Sequence, residues 1–472
     1  MPCRFFSTTR RVVSPLRQSQ SQLRVFEPLQ HHAPTFYMKG HQVKPLYQPH
    51  EFYSELKSRI LSAKDRIFIA ALYIGHAEKE LVDTLRTALS RSSSLKAHIL
   101  IDCLRGTRVS KGQSSATLLL PLLQDFPNQV KVSMYHTPDL TGVLKKTLPQ
   151  RFNETIGLMH MKVYGFDNTV MLSGYLLRFS ANLSLDYFTN RQDRYMLFDD
   201  HAPLASYYAH LLETVGSFSY QLDNPVSGTE HSYSLVSPAD LADPIFDSRR
   251  FKHQQDTAVL PVVQMGPFGI RQDENICLEL LDIAHRTGGK SPENWWIIHL
   301  TSGYFNFTDR YKTYILKTRA YFRFLTASPE ANGFFNSKGV SRFLPPAYTF
   351  IERQFYKNIL RLGKQDMITI EEYKRPGWTY HAKGLWVCFP SNEYPSLTMI
   401  GSPNFGHRSS ERDLETQAVV ITQNEKLQQA LHKEVNGLHE HSDLVTKDTF
   451  KKMDRRVPYG VRLATAVVKT ML

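Results

Sequence analysis

The sequence predicts an α/β fold made of two similar lobes, each a mixed β-sheet flanked by helices. Three observations support this prediction. Short apolar runs alternate with helical patterns, the alternation occurs twice along the chain, and each half carries one copy of a histidine-containing motif. We expect the two lobes to be related by an approximate twofold axis, with the active site between them.

The predicted strands are short, continuous apolar runs rich in β-branched or aromatic residues, as buried strands are. In the first half they cover residues 66–74, 97–102, 130–136, 160–166, 169–174 and 194–199. In the second half they cover residues 295–305, 321–328, 367–373, 380–389, 397–402 and 416–422. A helical pattern precedes the first strand of each half, at residues 51–64 and 274–286. Each half is therefore predicted to form one α/β domain.

A polar segment near residues 225–255 separates the two halves, and proline dipeptides punctuate it at Asn224-Pro225, Ser237-Pro238 and Asp243-Pro244. We therefore place the first lobe at residues 36–240 and the second lobe, with a basic C-terminal tail, at residues 241–472. Residues 1–35 form a leader outside both lobes.

The net charge of +13 is concentrated at the two ends of the 472-residue chain. Residues 1–24 carry five arginines and no acid, and residues 446–472 carry seven basic residues against two acids. The body between them is nearly balanced. This argues against a nuclease or another nucleic-acid-binding protein, because a long nucleic-acid groove needs basic residues throughout the fold. Basic ends instead suit contact with an anionic membrane surface.

The first 26 residues have the composition of a mitochondrial transit peptide, because they are rich in arginine and serine and have no acid. We expect them to be absent from the mature protein. No window reaches the roughly 18 apolar residues of a spanning helix, so membrane association should be peripheral. The four cysteines lie far apart, which indicates free thiols rather than disulfides or a zinc site.

One motif occurs once in each half, at the same place in the strand order. The two copies share His-x-Lys, a later asparagine, and an acid eleven residues after that asparagine. They consist of His160, Lys162, Asn182 and Asp193 in the first half, and His381, Lys383, Asn404 and Glu415 in the second. Because residues i and i+2 of a strand share a face, each copy presents an imidazole beside an ammonium group.

This combination suits phosphoryl chemistry. An imidazole can attack phosphorus and form a phosphohistidine, while ammonium and amide groups hold the phosphate oxygens in the transition state. An acid bonded to the second ring nitrogen fixes the tautomer and orientation of the histidine. Two copies supply a nucleophile and a general acid. We expect Glu415 to orient His160 and Asp193 to orient His381 across the cleft, with pairing inside each lobe as the alternative.

The first motif, extended to Asp167, resembles the HxKxxxxD signature of the phospholipase D superfamily, and GSPN at residues 401–404 resembles its G-S-x-N element. Residues 187–195, 328–348 and 380–387 resemble the eukaryotic mitochondrial phosphatidylglycerophosphate synthases, also called CDP-diacylglycerol–glycerol-3-phosphate 3-phosphatidyltransferases. The resemblance runs from about Phe36 to the C-terminus.

The resemblance implies two phospholipase D-type lobes and transfer of a phosphatidyl group from CDP-diacylglycerol to glycerol-3-phosphate, toward cardiolipin. It implies a peripheral enzyme on the matrix side of the mitochondrial inner membrane, with no cofactor and no metal. It also implies that His160 is the nucleophile and His381 the general acid. The expected catalytic residues are His160, Lys162, Asp167, Asn182, Asp193, His381, Lys383, Asn404 and Glu415, and the expected substrate-binding residues are Arg191, Arg194 and Ser402.

The sequence departs from the family pattern at two places. Cys388 stands five residues after Lys383, where the superfamily signature has an aspartate. Six residues, 175–180, separate Ser173-Gly174 from Ala181-Asn182, where the family reads Ser-Gly-Ala-Asn. We expect them to bulge beyond the strand end and leave Asn182 beside Lys162. Absorption into the strand would displace Asn182 by about 20 Å.

Alternatives remain open at this point. The chain could be a phospholipase D-type hydrolase, a phosphatidylserine synthase, or an inactive scaffold that binds anionic lipid. Arg191 and Arg194 could pair with Asp199 or Asp200 rather than with substrate. The segment with Phe334, Phe335, Phe343 and Leu344, and the C-terminal helix, could touch a membrane or pack on the body.

Overall fold

The computed structural model describes residues 23–75, 78–110, 112–140, 156–174, 190–223, 233–234, 255–390 and 392–468. The strands are β1 Phe36–Met38, β2 Val43–Leu46, β3 Arg66–Ala71, β4 Lys96–Asp102, β5 Val130–Tyr135, β6 Val163–Phe166, β7 Thr169–Ser173, β8 Arg191–Gln192, β9 Tyr195–Phe198, β10 Tyr220–Leu222, β11 Tyr233–Ser234, β12 Thr257–Met265, β13 Ile270–Arg271, β14 Trp296–Ser302, β15 Ala320–Ala327, β16 Ile368–Tyr373, β17 Thr379–Tyr380, β18 Gly384–Cys388, β19 Leu397–Gly401, β20 Leu414–Thr422 and β21 Ser442–Leu444.

The α-helices are α1 Pro49–Ser62, α2 Lys79–Arg91, α3 Cys103–Gly106, α4 Ser115–Asp125, α5 Ala202–Ser217, α6 Gln272–Gly288, α7 Asp309–Lys317, α8 Leu344–Arg361, α9 His407–Glu411, α10 Glu425–His439 and α11 Tyr459–Val468. Short 3-10 helices cover Arg24–His31, Gly40–Gln42, Gly266–Phe268, Pro292–Asn294, Gly339–Phe343, Thr449–Lys451 and Met453–Arg455.

The two large sheets have the same strand order when the second is followed from its β21 edge. The first has nine strands in the order β11-β10-β5-β4-β3-β6-β7-β9-β2. The second has ten strands in the order β1-β12-β20-β19-β18-β14-β15-β16-β21, with β13 pairing with β12. In each sheet three neighbouring strands are parallel, β3-β4-β5 and β14-β15-β16, and the rest are antiparallel. The prediction of two similar mixed α/β lobes is confirmed.

The helices begin where the sequence offers capping groups. Ser114 accepts a hydrogen bond from the Thr117 amide at the start of α4, and Thr308 accepts one from the Tyr311 amide at the start of α7. Asn424 caps α10 in the same way. Such a cap satisfies an amide that the first helical turn leaves unpaired, and it stabilises the helix by about 1 kcal/mol.

The core has three large parts. Each lobe has an outer cluster that packs its sheet against its own helices. The third cluster lies between the lobes, and it draws residues from both halves, including Met161 and Leu172 from the first and Leu414 and Ala418 from the second. Because one continuous apolar cluster joins the sheets, the lobes have a large, permanent interface.

The N-terminal boundary of the fold differs from the prediction. Residues 24–31 form a 3-10 helix, and Phe26 packs against Trp296 and Phe389 of the second lobe. Strand β1 pairs with β12, so it also belongs to the second sheet, whereas β2 joins the first. The predicted leader of 35 residues is therefore too long, because its last part is buried core. The remaining leader, residues 1–22, lies outside the described residues.

The predicted boundary at residue 240 also lies outside the described residues, between β11 and β12. Among the helices that the structure describes, none is long and apolar enough to cross a membrane.

Candidate active site

The two His-x-Lys motifs lie just before β6 and β18, where the backbone forms hydrogen bonds to the opposite lobe. The amide of His160 donates a hydrogen bond to the carbonyl of Leu414 at 2.8 Å, and the amide of His381 donates to the carbonyl of Gln192 at 2.9 Å. Around the second motif this pairing forms the two-stranded parallel sheet of β8 and β17. Each histidine is thus fixed by the backbone of the other lobe.

The two acids also reach across the lobes. Glu415 Oε2 lies 2.7 Å from His160 Nδ1, and Asp193 Oδ2 lies 3.4 Å from His381 Nδ1. This is the crossed arrangement that we expected, rather than pairing within each lobe. A carboxylate at Nδ1 favours the tautomer that carries its proton there, which leaves the lone pair on Nε2.

Each lysine packs over its own histidine. Lys162 Nζ lies 3.2 Å and 3.3 Å from the two ring nitrogens of His160, and it donates to the His160 carbonyl at 2.8 Å. Lys383 Nζ lies 2.7 Å from His381 Nδ1 and donates to the carbonyl of Gly174, in the other lobe, at 2.7 Å. All four side chains are buried. The site therefore concentrates cationic donors around two imidazoles.

Burial sets the protonation of these groups. It lowers the pKa of His160 well below the usual range, and the nearby Lys162 lowers it further, so His160 is a neutral imidazole near neutral pH. Burial also lowers the pKa of Lys162 to about 8, against the opposing effect of Glu415 and Asp193. In the second half, burial raises the pKa of Asp193 to about 6 and lowers that of His381. Shifts of this size at one place are typical of reactive sites.

Of the two asparagines of the motifs, Asn404 belongs to the residues that the structure describes. Asn404 is buried beside the second motif, and its Oδ1 has no hydrogen-bond partner among the described residues. Because an amide oxygen accepts and does not donate, a phosphate oxygen would be bound by the Nδ2 amide group of Asn404 and not by Oδ1. Asn182 and the six residues 175–180 before it lie outside the described residues.

Arg191 lies within the site. Its charge acts on Lys162, Asp193 and His381, and its side chain is buried on β8. Its place next to the second motif agrees with the expectation that it binds substrate, which remains a prediction.

The expectation that Arg194 binds substrate is wrong. Its guanidinium makes a two-pronged ion pair with Glu434, with both N···O distances at 2.9 Å, and also donates to the Met399 carbonyl at 2.7 Å. The group stacks over Trp386 at 3.8 Å and is fully buried. It joins the two lobes and has no face left for a ligand. For Arg194 the alternative pairing with Asp199 or Asp200 is also wrong, because its guanidinium pairs with Glu434 instead.

Asp167 lies at the far end of β6 from His160 and does not reach the catalytic group. Its carboxylate accepts hydrogen bonds from the amides of Lys64, Asp65 and Arg66 at 2.9–3.0 Å. The expectation of a catalytic role is therefore corrected to a structural one, because these three bonds fix the entry to β3. At the corresponding position, Cys388 is a buried free thiol.

Ser402 is likewise a supporting residue rather than a substrate ligand. Its hydroxyl bridges the carbonyl and the amide of Thr416 at 3.3 Å and 3.2 Å, and it helps to stabilise the Glu415 carboxylate. The hydroxyl is fully buried.

Two further acids were missed by the sequence reasoning. Asp413 Oδ1 accepts from the Leu158 amide, and Asp102 Oδ2 accepts from the Met159 amide, both at 3.0 Å. Together they hold the backbone that leads into His160. The signal for Asp413 was its place two residues before Glu415, on the same face of an extended segment. Nothing in the sequence marked Asp102, since its partner is 57 residues away.

Among the residues that the structure describes, one group of side chains could hold a metal ion. Donor atoms of His160, Asp413 and Glu415 all lie within 4.8 Å of one another. Each carboxylate already has protein donors: Asp413 accepts from Arg408 at 2.9 Å, and Glu415 accepts from Ser409 at 2.7 Å. A cation here would displace these bonds and would face Lys162, so the donor set fits a histidine-based reaction better than a metal site.

With this geometry in place, the relatives of the chain identify its family. The chain is 42% identical over 490 residues to the mouse protein named CDP-diacylglycerol–glycerol-3-phosphate 3-phosphatidyltransferase, mitochondrial, an alignment that covers 94% of this chain and 86% of the mouse protein. It is 41% identical to the human protein of the same name, with coverage of 94% and 85%. The chain belongs to the CDP-diacylglycerol–glycerol-3-phosphate 3-phosphatidyltransferase family. A Saccharomyces pastorianus member of this phosphatidyltransferase family is 37% identical, with coverage of 94% and 91%.

The fold of this phosphatidyltransferase family member is also that of a solved structure. The crystal structure of phosphatidylserine synthase from Haemophilus influenzae superposes with a TM-score of 0.72, covering 95% of this chain and 99% of that chain. At 20% sequence identity, the likeness concerns the fold alone. No protein-family model matches the chain.

Proposed function

We propose that this chain transfers the phosphatidyl group of CDP-diacylglycerol to glycerol-3-phosphate, giving phosphatidylglycerophosphate and CMP, through a phosphohistidine intermediate. The proposal rests on one observation above all: two buried imidazoles, each paired with a lysine and with a carboxylate from the opposite lobe. The names of the relatives supply the donor and the acceptor.

In the first step, the Nε2 lone pair of His160 attacks the phosphorus that bears the diacylglycerol. An N–P bond forms, the P–O bond to CMP breaks, and His381 gives a proton to the departing CMP oxygen. The lysine ammonium groups and Asn404 stabilise the charge that moves onto the phosphate oxygens. The negative charge of bound substrate raises the proton affinity of His381, because it offsets the cations that lower the pKa of His381 in the free protein.

In the second step, a hydroxyl of glycerol-3-phosphate attacks the same phosphorus. Its proton passes to His381, a new P–O bond forms, and the N–P bond to His160 breaks. The imidazole of His160 is regenerated in its neutral form. Glu415 holds the Nδ1 proton of His160 through both steps and keeps the ring in place.

We also place the enzyme at a membrane surface, on the matrix side of the mitochondrial inner membrane, as a peripheral protein. The short 3-10 helix before α8 exposes Val340 and Phe343 beside Lys338 and Arg342. The neighbouring helix α11 packs on α8 through Val461 and Ala347. Its outer face exposes Tyr459, Leu463 and Arg462, and Arg456 is exposed just before the helix begins.

This mixture of exposed apolar and cationic side chains suits the boundary between lipid headgroups and acyl chains. The position is also close to the reaction, because Tyr348 on α8 stacks on Tyr304, and Tyr304 meets the ring of His381 edge-on at 5.5 Å. A lipid surface docked here would present its headgroups near the site. The relatives whose names mention mitochondria support the compartment.

The function is tested by incubating the purified protein with CDP-diacylglycerol vesicles and labelled glycerol-3-phosphate. Formation of labelled phosphatidylglycerophosphate with release of CMP is the expected result, and His160→Ala should abolish it. Label found only in unreacted acceptor would favour an inactive scaffold. Release of phosphatidic acid without transfer would indicate a hydrolase, and preferential transfer to added serine would indicate a phosphatidylserine synthase.

The membrane location is tested by sedimentation with vesicles that contain anionic lipid. The paired change Val340→Ser and Phe343→Ser should release the protein into the supernatant, because it removes apolar anchors of the surface. The matched change Leu61→Ser, at an exposed leucine in the first lobe, should not.

A further inference from the structure

Arg408 is a cationic side chain at the catalytic group that no step above uses. It lies in the short helix α9, four residues after Asn404. Its Nε donates to Asp413 Oδ2 at 2.9 Å, and its side chain is 13% exposed. Among the described residues, neither Nη atom has a hydrogen-bond partner. One edge of the guanidinium is therefore anchored, and the other edge is available to a ligand.

The anchor holds Arg408 in a fixed relation to the nucleophile. Asp413, which accepts from Arg408, also accepts from the Leu158 amide two residues before His160. The charge of Arg408 acts on His160 and on Glu415. The same loop is tied to Glu415 by Ser409, which accepts from the Asn404 amide and donates to Glu415 Oε1 at 2.7 Å.

Arg408 also lies beside the aromatic wall that ends at the second histidine. Its charge interacts with Tyr348, which stacks on Tyr304 at 5.0 Å, and Tyr304 contacts His381. The acceptor hydroxyl must approach His381 to lose its proton. A group bound by Arg408 would therefore sit along the same wall as the reacting end of the acceptor.

The site has more cationic groups than the transferred phosphate alone requires. Two lysines and an asparagine amide can hold the non-bridging oxygens of the phosphorus that reacts. Glycerol-3-phosphate brings a second phosphate, which does not react and sits at the other end of a three-carbon chain. A planar guanidinium with a free edge is the protein group best shaped to bind such an anion.

We propose that Arg408 binds the phosphate of the acceptor and so selects glycerol-3-phosphate over glycerol, serine and water. This inference rests on the proposed function and deepens it, since it assigns the acceptor specificity to one side chain. The competing explanation is that Arg408 only neutralises the buried carboxylate of Asp413. That explanation predicts a loss of stability without a change in acceptor preference.

The test compares Arg408→Gln and Arg408→Lys with wild type in two reactions. The first is exchange of labelled CMP into CDP-diacylglycerol without acceptor, which needs the phosphohistidine but no second phosphate. The second is transfer to glycerol-3-phosphate or to glycerol. In Arg408→Gln the KM for glycerol-3-phosphate should rise by about tenfold to a hundredfold, the loss expected for one charge-assisted hydrogen-bonded contact. The preference for glycerol-3-phosphate over glycerol should fall by a similar factor, and CMP exchange should fall far less.

Arg408→Lys keeps the charge, so its KM for glycerol-3-phosphate should lie between those of wild type and Arg408→Gln. This variant keeps the test informative even if the glutamine variant folds poorly. Arg310→Gln is the matched control. It removes an arginine from the neighbouring helix α7, where the side chain is 52% exposed and paired with Glu274. It should not change the KM for glycerol-3-phosphate.

An equal fall of exchange and transfer in the Arg408 variants, or an unchanged KM and acceptor preference, would overturn the assignment while leaving the proposed function intact. A wild-type protein that neither exchanges CMP nor forms phosphatidylglycerophosphate would overturn the proposed function and the assignment together.

Discussion

At the scale of single residues, the chemistry depends on charged groups held without water. Lys162, Lys383, Asp193 and Glu415 are all buried, which is costly unless each charge has close partners. The crossed contacts between lysine, histidine and acid supply those partners. The same low-polarity surroundings keep His160 neutral and therefore nucleophilic.

Lys162 should contribute to the alkaline limit of activity, together with Lys383, whose pKa burial lowers well below its usual value. Burial lowers the pKa of Lys162 to about 8, so the group is cationic below that pH and loses its charge above it. Stabilisation of the phosphate oxygens is then lost as pH rises through about 8, and kcat/KM should fall. Lys162→Arg should be slower and should lose the part of the alkaline limb that Lys162 contributes, because a guanidinium stays charged. A pH profile of kcat/KM checks both points, and an identical alkaline limb in the arginine variant would contradict them.

Asp167 should matter for stability and not for catalysis. Asp167→Ala removes the acceptor of three backbone amides at the start of β3, so it should lower the free energy of unfolding by about 1–3 kcal/mol. The residue also has a φ of 51°, which an aspartate or asparagine tolerates better than an alanine. Asp167→Asn should therefore lose less. Urea denaturation measures the loss, and a large fall in kcat of the folded variant would restore the catalytic interpretation.

At the scale of elements, the apolar runs predicted the sheets well because their side chains are buried on both faces. Strands β14, β15 and β16 fall within or close to predicted runs. The same holds for β6, β7 and β9 in the first sheet and for β18, β19 and β20 in the second. The His-x-Lys motifs were predicted inside strands, yet they lie just before β6 and β18. There the backbone pairs with the opposite lobe, and the sequence of one lobe carries no sign of such a partner.

Local sequence also failed to reveal the partners of the N-terminal segment in the second lobe. The predicted leader includes residues 24–35, but Phe26 and Leu29 are buried against the second lobe. Their partners are more than 200 residues away along the chain, so local composition could not reveal them. Long-range pairing of this kind, rather than propensity, fixes the true start of the fold.

Phe26→Ala should destabilise the protein by about 3–5 kcal/mol, because it leaves a cavity between Trp296 and Phe389. Phe26→Leu should cost less, since most of the volume stays filled. Chemical denaturation followed by tryptophan fluorescence gives the comparison. Wild-type stability in Phe26→Ala would mean that the segment is not part of the folded core.

At the scale of the whole molecule, the active site exists only where the two lobes meet. The repeat of motif and strand order was enough to predict two lobes, and it left the crossed acids and pairing inside each lobe as alternatives. It could not predict the contact between the lobes, because Arg194 acts through Glu434, which is 240 residues away in the sequence. The expectations that were wrong concern residues whose polar groups are used by the fold instead of the substrate.

The contact between the two lobes can be tested by changing Arg194. Arg194→Met should lower the free energy of unfolding by about 3–5 kcal/mol, because it leaves the buried Glu434 carboxylate without its cation. Adding Glu434→Gln should recover part of the loss, since the uncompensated charge is then removed. Urea denaturation of the two variants provides the measurement. A single variant within about 0.5 kcal/mol of wild type would show that the ion pair does not hold the lobes together.

The most direct test of the account is to trap the phosphatidyl adduct and map it to a residue. In His381→Ala the first step should be slow, because CMP departs without its proton donor, and the second step lacks its general base. Labelled CDP-diacylglycerol should therefore slowly leave a phosphatidyl group on His160, with release of one equivalent of CMP. Peptide mapping of the quenched protein identifies the residue that carries the label. The account predicts label on His160, and no label in His160→Ala. Label on His381 in the wild-type protein, or near-normal transfer by His160→Ala, would contradict it.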